Sequence, residues 1–512
     1  MDLYNYNFYE KKYELFYNDL LNNFTSYLNN YHKTKYSEDE WQILIAPWLH
    51  SMLQLYFINL KKNSHKKKKN SQFISIDFES FNSHLADEKF HSEFNEIKNN
   101  NKKKVYYFPI KKIELHKKLY YFYKVIFFIF SIKILHSKSR FSFFNKVKIF
   151  IDTFFSCIHL PDCNRIFKIK FKKKKLQRNI NISFIDVSIF KQKNLFITFL
   201  KFIPTSYLEN FKTLKNSGDS LFKKVHYFFS DSTYISDEFL KIQMMNFKKK
   251  YNTKIFLEQH GGNQKLLKSI YNNYYEKKIG SKYLIWGTKK IGPKEIYLPS
   301  LRIMRNKNKF NIKNDNFKYD YCNILQPIKK DKILYLYRYH YDVKKFYKKL
   351  TSLIKKNKLS YVYKIYPETR YQSQLNTMQI SKLFKIQNEH IFDNFDIINQ
   401  SKVLIMNYLS TMLFECIAYN KPFILYMPEQ FKNLSSTGVS FLNELSKINL
   451  FFNSEKKFIN FIKSPMNVEN NWLKINTIKE LNNIKNKYIK IDNDPKKNYL
   501  LWKNFFNKVV LK

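Results

Sequence analysis

The chain has 512 residues, 44% of them hydrophobic, and carries 91 Lys and Arg against 41 Asp and Glu, a formal net charge of +50. That length holds two or three domains with full cores. The charge is spread along the chain as Lys, with few Arg and many Asn, Ile, Phe and Tyr. It therefore reads as compositional bias, excludes specific nucleic-acid recognition by a focused Arg-rich face, and leaves a general attraction to anionic lipid headgroups. Four cysteines, Cys157, Cys163, Cys322 and Cys416, are too few and scattered for a disulfide framework and point to a reducing compartment. Cys157, His159 and Cys163 lack a fourth ligand at usable spacing, so no metal site is read there. The start, Met1-Asp2-Leu3-Tyr4-Asn5, has no signal-peptide pattern, and the expected location is cytoplasmic, at the inner face of the membrane.

In chain order, residues 1–36 read as an amphipathic, Tyr-rich helix. An apolar pattern then runs from Trp41 to about position 60 and ends at the Lys66-Lys67-Lys68-Lys69 loop. Residues 73–77 alternate like a short strand. The most apolar run, 119–135, is interrupted by Lys124 and Lys133 and is shorter than the ~20 residues that span a bilayer. It reads as a buried aromatic-rich helix. Residues 80–200 otherwise read as helices with one or two strands, and 172–175 as a solvated basic loop.

From position 201 the pattern sharpens. Residues 204–209 open a helix, 225–229 form a strand ending at Ser230-Asp231-Ser232, and a helix covers 236–250. A strand at 254–257 meets the turn Glu258-Gln259-His260-Gly261-Gly262-Asn263-Gln264, followed by a helix over 265–278 and a strand at 283–287. This β-α-β-α-β series predicts a parallel half-domain. Residues 290–330 lose the periodicity and contain Pro293, Pro299 and Pro327. The domain reading is 1–300 for the first domain, 301–330 for a linker, 331–485 for the second domain, and 486–512 for a helix packing back on the first. Within the second domain, strands are expected at 333–337, 361–365, 403–406 and 423–426, with helices at 342–356, 395–398 and 411–419. The tail from 455 reads as helical.

Two places carry chemistry. The chain has only 7 glycines, and two adjoin in the turn after 254–257. Paired glycines permit positive φ or close approach to a ligand, and the turn puts His260 at the carboxyl end of a strand, where α/β sheets bind ligands. An ordinary strand-to-helix turn explains the same residues. The second place is Ser410-Thr411-Met412-Leu413-Phe414-Glu415, where a strand hands over to a helix. Free N–H groups and the positive dipole end make a phosphate site there, to which Ser410 and Thr411 add hydroxyls. Glu415, one turn on from Thr411, is placed to meet a ribose diol. A plain Ser/Thr cap followed by a surface glutamate explains the same residues, since Ser and Thr are good caps.

Gln259-His260-Gly261-Gly262 and residues 403–422, with the segments 41–49, 204–209, 230–239 and Trp286-Gly287, resemble transferases of surface-carbohydrate and O-antigen gene clusters. The layout also resembles glycerophosphotransferases of teichoic-acid synthesis, with their histidine-glycine turn and Ser-Ser-x-x-x-Asp helix start. The resemblance implies an α/β fold of two Rossmann-like domains facing a cleft (GT-B-like), with helical N-terminal additions. It implies transfer of a sugar from a nucleotide-activated donor to a glycan or lipid-linked glycan acceptor, with no cofactor and no metal. Peripheral contact with an anionic membrane accompanies that reading. His260 would be the general base, with Asp231 and Glu258 as rivals or orienting partners. Gly261, Gly262, Lys364, Ser410, Thr411 and Glu415 would hold the donor. Lys364-Ile365-Tyr366-Pro367 resembles a Lys-x-His-Pro turn with Tyr366 in place of the histidine. Gln264 and Lys265 stand where the family continues with an aromatic residue and another glycine. Polyol-phosphate transfer and an inactive glycan- or nucleotide-binding relative are the alternatives.

Overall fold

The computed structural model describes residues 6–63, 122–123, 125–137, 139–160, 187–200, 202–216, 224–231, 237–259, 261–267, 272–288, 292–310, 317–324, 350, 352–353, 356–364, 395–427 and 434–511. The chain divides into two compact units, one of residues 1–258, 270–284 and 503–512, the other of 259–269 and 285–502. The expected strands at 73–77 and 333–337, most of the helix at 342–356, and the basic loops 66–69 and 172–175 lie outside the described residues.

The first unit begins with the helices Tyr6–His32 and Glu38–Asn63. In the first, Tyr13, Tyr17, Leu20, Phe24, Tyr27 and Leu28 recur at helical spacing and are buried. The second starts on a reciprocal cap: the Ser37 N–H donates to Glu40 Oε2 at 2.8 Å, and the Glu40 N–H to Ser37 Oγ at 3.3 Å. Its Trp41 and Trp48 are fully buried. The unit's sheet contains β1 (Ile134–Ser137), β2 (Cys157–Leu160), β3 (Tyr227–Ser230), β4 (Lys254–Glu258) and β5 (Lys282–Ile285), adjacent in the order β2-β1-β3-β4-β5. All these pairs are parallel. The strands read as apolar runs because helices cover both faces of such sheets. From Lys503 onward the C-terminal helix Pro495–Val510 belongs to this unit, where Phe506 packs on Phe229 with ring centres 5.4 Å apart.

The second unit has a short strand β6 (Glu295–Tyr297). Its five-stranded sheet is built from β7 (Tyr319–Ile324), β8 (Tyr361–Lys364), β9 (Ser401–Met406), β10 (Phe423–Tyr426) and β11 (Phe451–Phe452), in the order β11-β10-β9-β7-β8 and again parallel. Side chains alternate across it. Cys322, Leu404, Met406 and Leu425 enter one apolar cluster, and Tyr321, Val403, Ile405 and Ile424 the other. The α/β class, the parallel sheets and the helical N-terminal region are as the sequence predicts.

Several local expectations are corrected. The run 119–135 is not one buried helix: residues 122–123 and 125–129 are helical, with Tyr123 and Phe127 buried but Phe128 exposed, and β1 begins at Ile134. Residues 301–330 do not form a bare linker, since they hold the helix Leu301–Asn306 and β7, which lies between β8 and β9. The surrounding Asn and Lys hide that strand, but Tyr321 and Cys322 are fully buried. The turn 259–269 groups with the second unit, although it reads as part of the first domain. Within the expected helix 265–278, Lys265 ends the 3-10 turn Gly262–Lys265, Leu266 and Leu267 enter the second unit's core, and an α-helix covers Asn272–Ile279. Residues 204–209 form a 3-10 turn, Thr205–Tyr207, ahead of the helix Phe211–Asn216.

A half-buried histidine, His32, and a buried one, His50, make the first unit acid-sensitive. Burial lowers His32 from 6.5 to about 4 and His50 from 6.5 to about 3. Their folded pKa values lie below the unfolded ones, so the native state is penalised once the unfolded chain takes up protons. Stability is expected to fall as pH drops below about 6.5, by up to about 1.4 kcal/mol per pH unit for each histidine. The loss is complete near pH 4 for His32 and near pH 3 for His50. Urea unfolding of the wild type and of His50→Gln between pH 7 and pH 4 checks this: the variant should show the shallower slope, and equal slopes would refute it.

Candidate functional site

Both sheets place the second-formed strand outside the first, so strand order reverses between β1 and β3 in one unit and between β7 and β9 in the other. A doubly wound sheet binds ligands at the carboxyl ends of its strands at such a switch point. In the second unit, that edge is where Ile324 aligns with Met406 on one side and Lys364 on the other. Asn323, 2% exposed, lies one residue before it, and neither side-chain amide atom has a hydrogen-bond partner. Its sequence signal was nil, because Asn is abundant throughout the chain.

β9 hands over to the helix Thr411–Ala418. Ser410 is its N-cap by backbone position, yet its hydroxyl makes no capping bond, while Thr411 Oγ1 accepts the Gly262 N–H at 3.3 Å. The expected hydroxyl pair thus divides: Thr411 holds the glycine turn, and the Ser410 hydroxyl, at the helix start, donates to Met406 Sδ at 3.9 Å. Glu415 is no surface residue. It is fully buried; its Oε1 accepts from Asn306 Nδ2 at 2.8 Å and Arg302 Nε at 3.3 Å, and its Oε2 has no hydrogen-bond partner. Lys364 ends β8 with its ammonium 5.8 Å from the Phe395 ring centre. Burial lowers its pKa, the charge of Glu415 pulls it back up, and Arg302 pushes it down. The buried Lys364 and Glu415 and the partly exposed Arg302 therefore act on one another electrostatically.

The glycine turn is seated by a residue that the sequence reading treated only as part of the motif. Gln259 Oε1 accepts the Trp286 and Gly287 N–H groups, each at 3.0 Å, and its Nε2 donates to the Gly261 carbonyl at 2.9 Å. The Trp286 indole donates to the Gln259 carbonyl at 2.9 Å. Trp286-Gly287 is thereby explained as the clamp's other half. No described glycine has positive φ. Gly262 serves close approach instead, since a Cβ there would collide with the Phe414 ring. Beyond the turn, Lys265 is ion-paired with Glu295, and the Ser435 N–H donates to the Leu266 carbonyl at 2.9 Å.

Asp231 and Glu258 belong to the first unit. Asp231 Oδ2 accepts from Arg140, with Nε and Nη2 both at 3.0 Å, so this carboxylate is already engaged by a guanidinium. Glu258 Oε1 lies 2.5 Å from Nε2 of the buried His136. Each carboxylate has its own cation or imidazole close by. His260 lies outside the described residues. From the segments 204–209 and 230–239, Tyr207 and Glu238 enter a buried network: Lys241 Nζ donates to Tyr207 Oη at 2.7 Å and to Glu238 Oε1 at 2.8 Å.

A sequence profile described as LIC12162 family transferase matches residues 9–506. No curated protein matches the chain. Among solved structures, the chain is similar to the wall teichoic acid polymerase TagF, at 10% identity and a TM-score of 0.32, covering 60% of this chain and 77% of that one. It is also similar to the spinosyn forosaminyltransferase SpnP, at 8% identity and 0.35, covering 74% and 100% respectively. The glycosyltransferase SnogD from Streptomyces nogalater gives 8% identity and 0.33 over the same shares.

Proposed function

The chain belongs to the LIC12162 family of transferases, and from that premise we propose that it is a glycosyltransferase moving a sugar from a nucleotide-activated donor to a surface polysaccharide or lipopolysaccharide acceptor. The observation that carries this reading is the carboxyl edge between β7 and β9. There a helix N-terminus, a Ser410 hydroxyl outside the cap and the unpartnered Glu415 Oε2 belong to one unit. The helix start receives the donor's phosphates through backbone N–H groups and the Ser410 hydroxyl. Glu415 Oε2 is the acceptor left for a donor hydroxyl, once local opening admits it. Lys364 adds positive charge against the leaving phosphate. His260 is the base for the acceptor hydroxyl, on the strength of its motif and of an imidazole's titration near neutrality. Among the described residues no helix is long and apolar enough to cross a membrane, and the membrane contact in this reading is peripheral.

Nucleotide binding to the full chain tests the proposal. Nucleoside diphosphates are expected to raise the melting temperature, since a ligand of the folded state stabilises it. Ser410→Ala should weaken a nucleoside diphosphate by about tenfold, roughly one hydrogen bond to a charged group, and leave the bare nucleoside unaffected. A folded chain stabilised by no nucleotide would overturn the donor site. Product mass with candidate donors separates sugar transfer from polyol-phosphate transfer.

A further inference from the structure

The helix Phe143–Asp152 of the first unit has two unlike faces. Ile149 is fully buried. At ~100° per residue, Phe143, Phe144, Val147 and Ile151 share one sector of roughly 100° on the side opposite Ile149. They are 74%, 81%, 42% and 54% exposed. By the same angular reckoning Lys146 borders the stripe on one side and Lys148 on the other. The helix itself is well started, with Ser142 Oγ accepting the Asn145 N–H at 3.3 Å.

The apolar surface continues past the helix end. Phe154 and Phe155 have φ of 50° and 60°, in the left-handed region that bulky residues avoid. Phe155 is held there by stacking on Phe130, with ring centres 4.9 Å apart. Phe154 stands out at 85% exposure. Just before β1, Phe122, Phe128 and Ile129 are also exposed, at 56%, 76% and 63%. Phe130, 5.3 Å from Phe150 by ring centres, joins that stretch to the helix.

Large aromatics gathered on an open surface mark an interaction site. An apolar stripe bordered by lysines is the composition of a helix lying in the headgroup region of a bilayer. A second copy of the chain in two-fold pairing would set Lys146 and Lys148 near their own duplicates, in a protein of net charge +50. An anionic bilayer supplies both the apolar layer and the negative charge. We infer that this face docks the first unit on an anionic lipid surface, with the phenyl rings entering the acyl boundary and the two lysines resting on headgroups. The inference does not depend on sugar transfer, because lipid binding is read without donor or turnover.

The test is co-sedimentation of the full chain with vesicles of phosphatidylcholine plus phosphatidylglycerol, and of phosphatidylcholine alone. The wild type is expected to bind the anionic vesicles. The triple variant Phe143→Ser, Phe144→Ser, Phe154→Ser should bind at least about tenfold more weakly at an unchanged melting temperature. Lys146→Gln with Lys148→Gln should weaken binding to the anionic vesicles. Lys456→Gln with Lys457→Gln, an equal loss of charge from exposed positions of the second unit, should leave it unchanged. Wild-type binding by the aromatic variant, or equal losses from both lysine pairs, would overturn the inference and leave net charge as the cause. A wild-type dimer dissolved by the aromatic substitutions would assign the face to a second copy and overturn it too.

Discussion

Glu415→Ala is expected to destabilise the folded chain by about 3–5 kcal/mol, the range for removing one partner of a buried ion pair. The substitution strands Arg302 and the Asn306 amide, both of which donate to Oε1, and leaves Lys364 without the carboxylate that favours its charge. Arg302 keeps 37% of its side chain exposed, so water recovers part of that loss and the lower end of the range is expected. Glu415→Gln retains an oxygen for Asn306 and should cost less, about 1–3 kcal/mol. Urea unfolding of both variants measures the difference, and nucleotide affinity is then read under conditions where each remains folded. Unchanged stability in Glu415→Ala would mean that the carboxylate anchors nothing. Weakened nucleotide binding in folded Glu415→Gln would assign Oε2 to the donor.

The second large effect concerns turnover. With His260 as the base, His260→Ala should reduce the rate by roughly 10²–10⁴, with donor affinity and melting temperature little altered. Asp231→Asn and Glu258→Gln provide the comparison. Asp231 sits against Arg140 and Glu258 against His136, so both substitutions should act first on stability. Measuring melting temperature, nucleotide affinity and turnover on one preparation of each variant separates the cases. A folded His260→Ala protein working at the wild-type rate would remove the histidine from the mechanism. A greater loss of turnover in folded Asp231→Asn would transfer the role to Asp231.

Much of the scaffold was legible because its signals are local. The strand at 423–426 coincides with β10, and 403–406 lies within β9, both apolar runs of the kind a parallel sheet covers on both faces. Helix starts were legible from the same short range: the reading from Ser236-Asp237-Glu238 falls on a helix that Asp237 caps by accepting the Leu240 N–H at 2.9 Å. The turn of paired glycines and the Ser410-Thr411 helix start also stood out, since Gly is favoured in tight turns and Ser and Thr at helix starts.

What those residues do was decided by partners far along the chain. Glu415 follows a helix start by one turn, a position that reads as surface, and it becomes core because Arg302 and Asn306 reach it from 113 and 109 residues away. Gly262 permits close approach only because Phe414 packs where its Cβ would stand. Gln259 becomes a clamp through backbone groups 27 and 28 residues on, at Trp286 and Gly287. β7 shows no clean strand pattern amid Asn and Lys, yet it sits between β8 and β9 because both neighbours satisfy its backbone. Periodicity records which side chains favour burial, whereas the partner of a buried polar group is fixed by chain topology. Composition and pattern therefore determined the α/β class and the two turns that follow β4 and β9. Only the tertiary structure determined that Thr411 holds the glycine turn, that the buried Glu415 is anchored by the partly exposed Arg302 and by Asn306, and that the aromatic stripe of Phe143–Asp152 points away from the core.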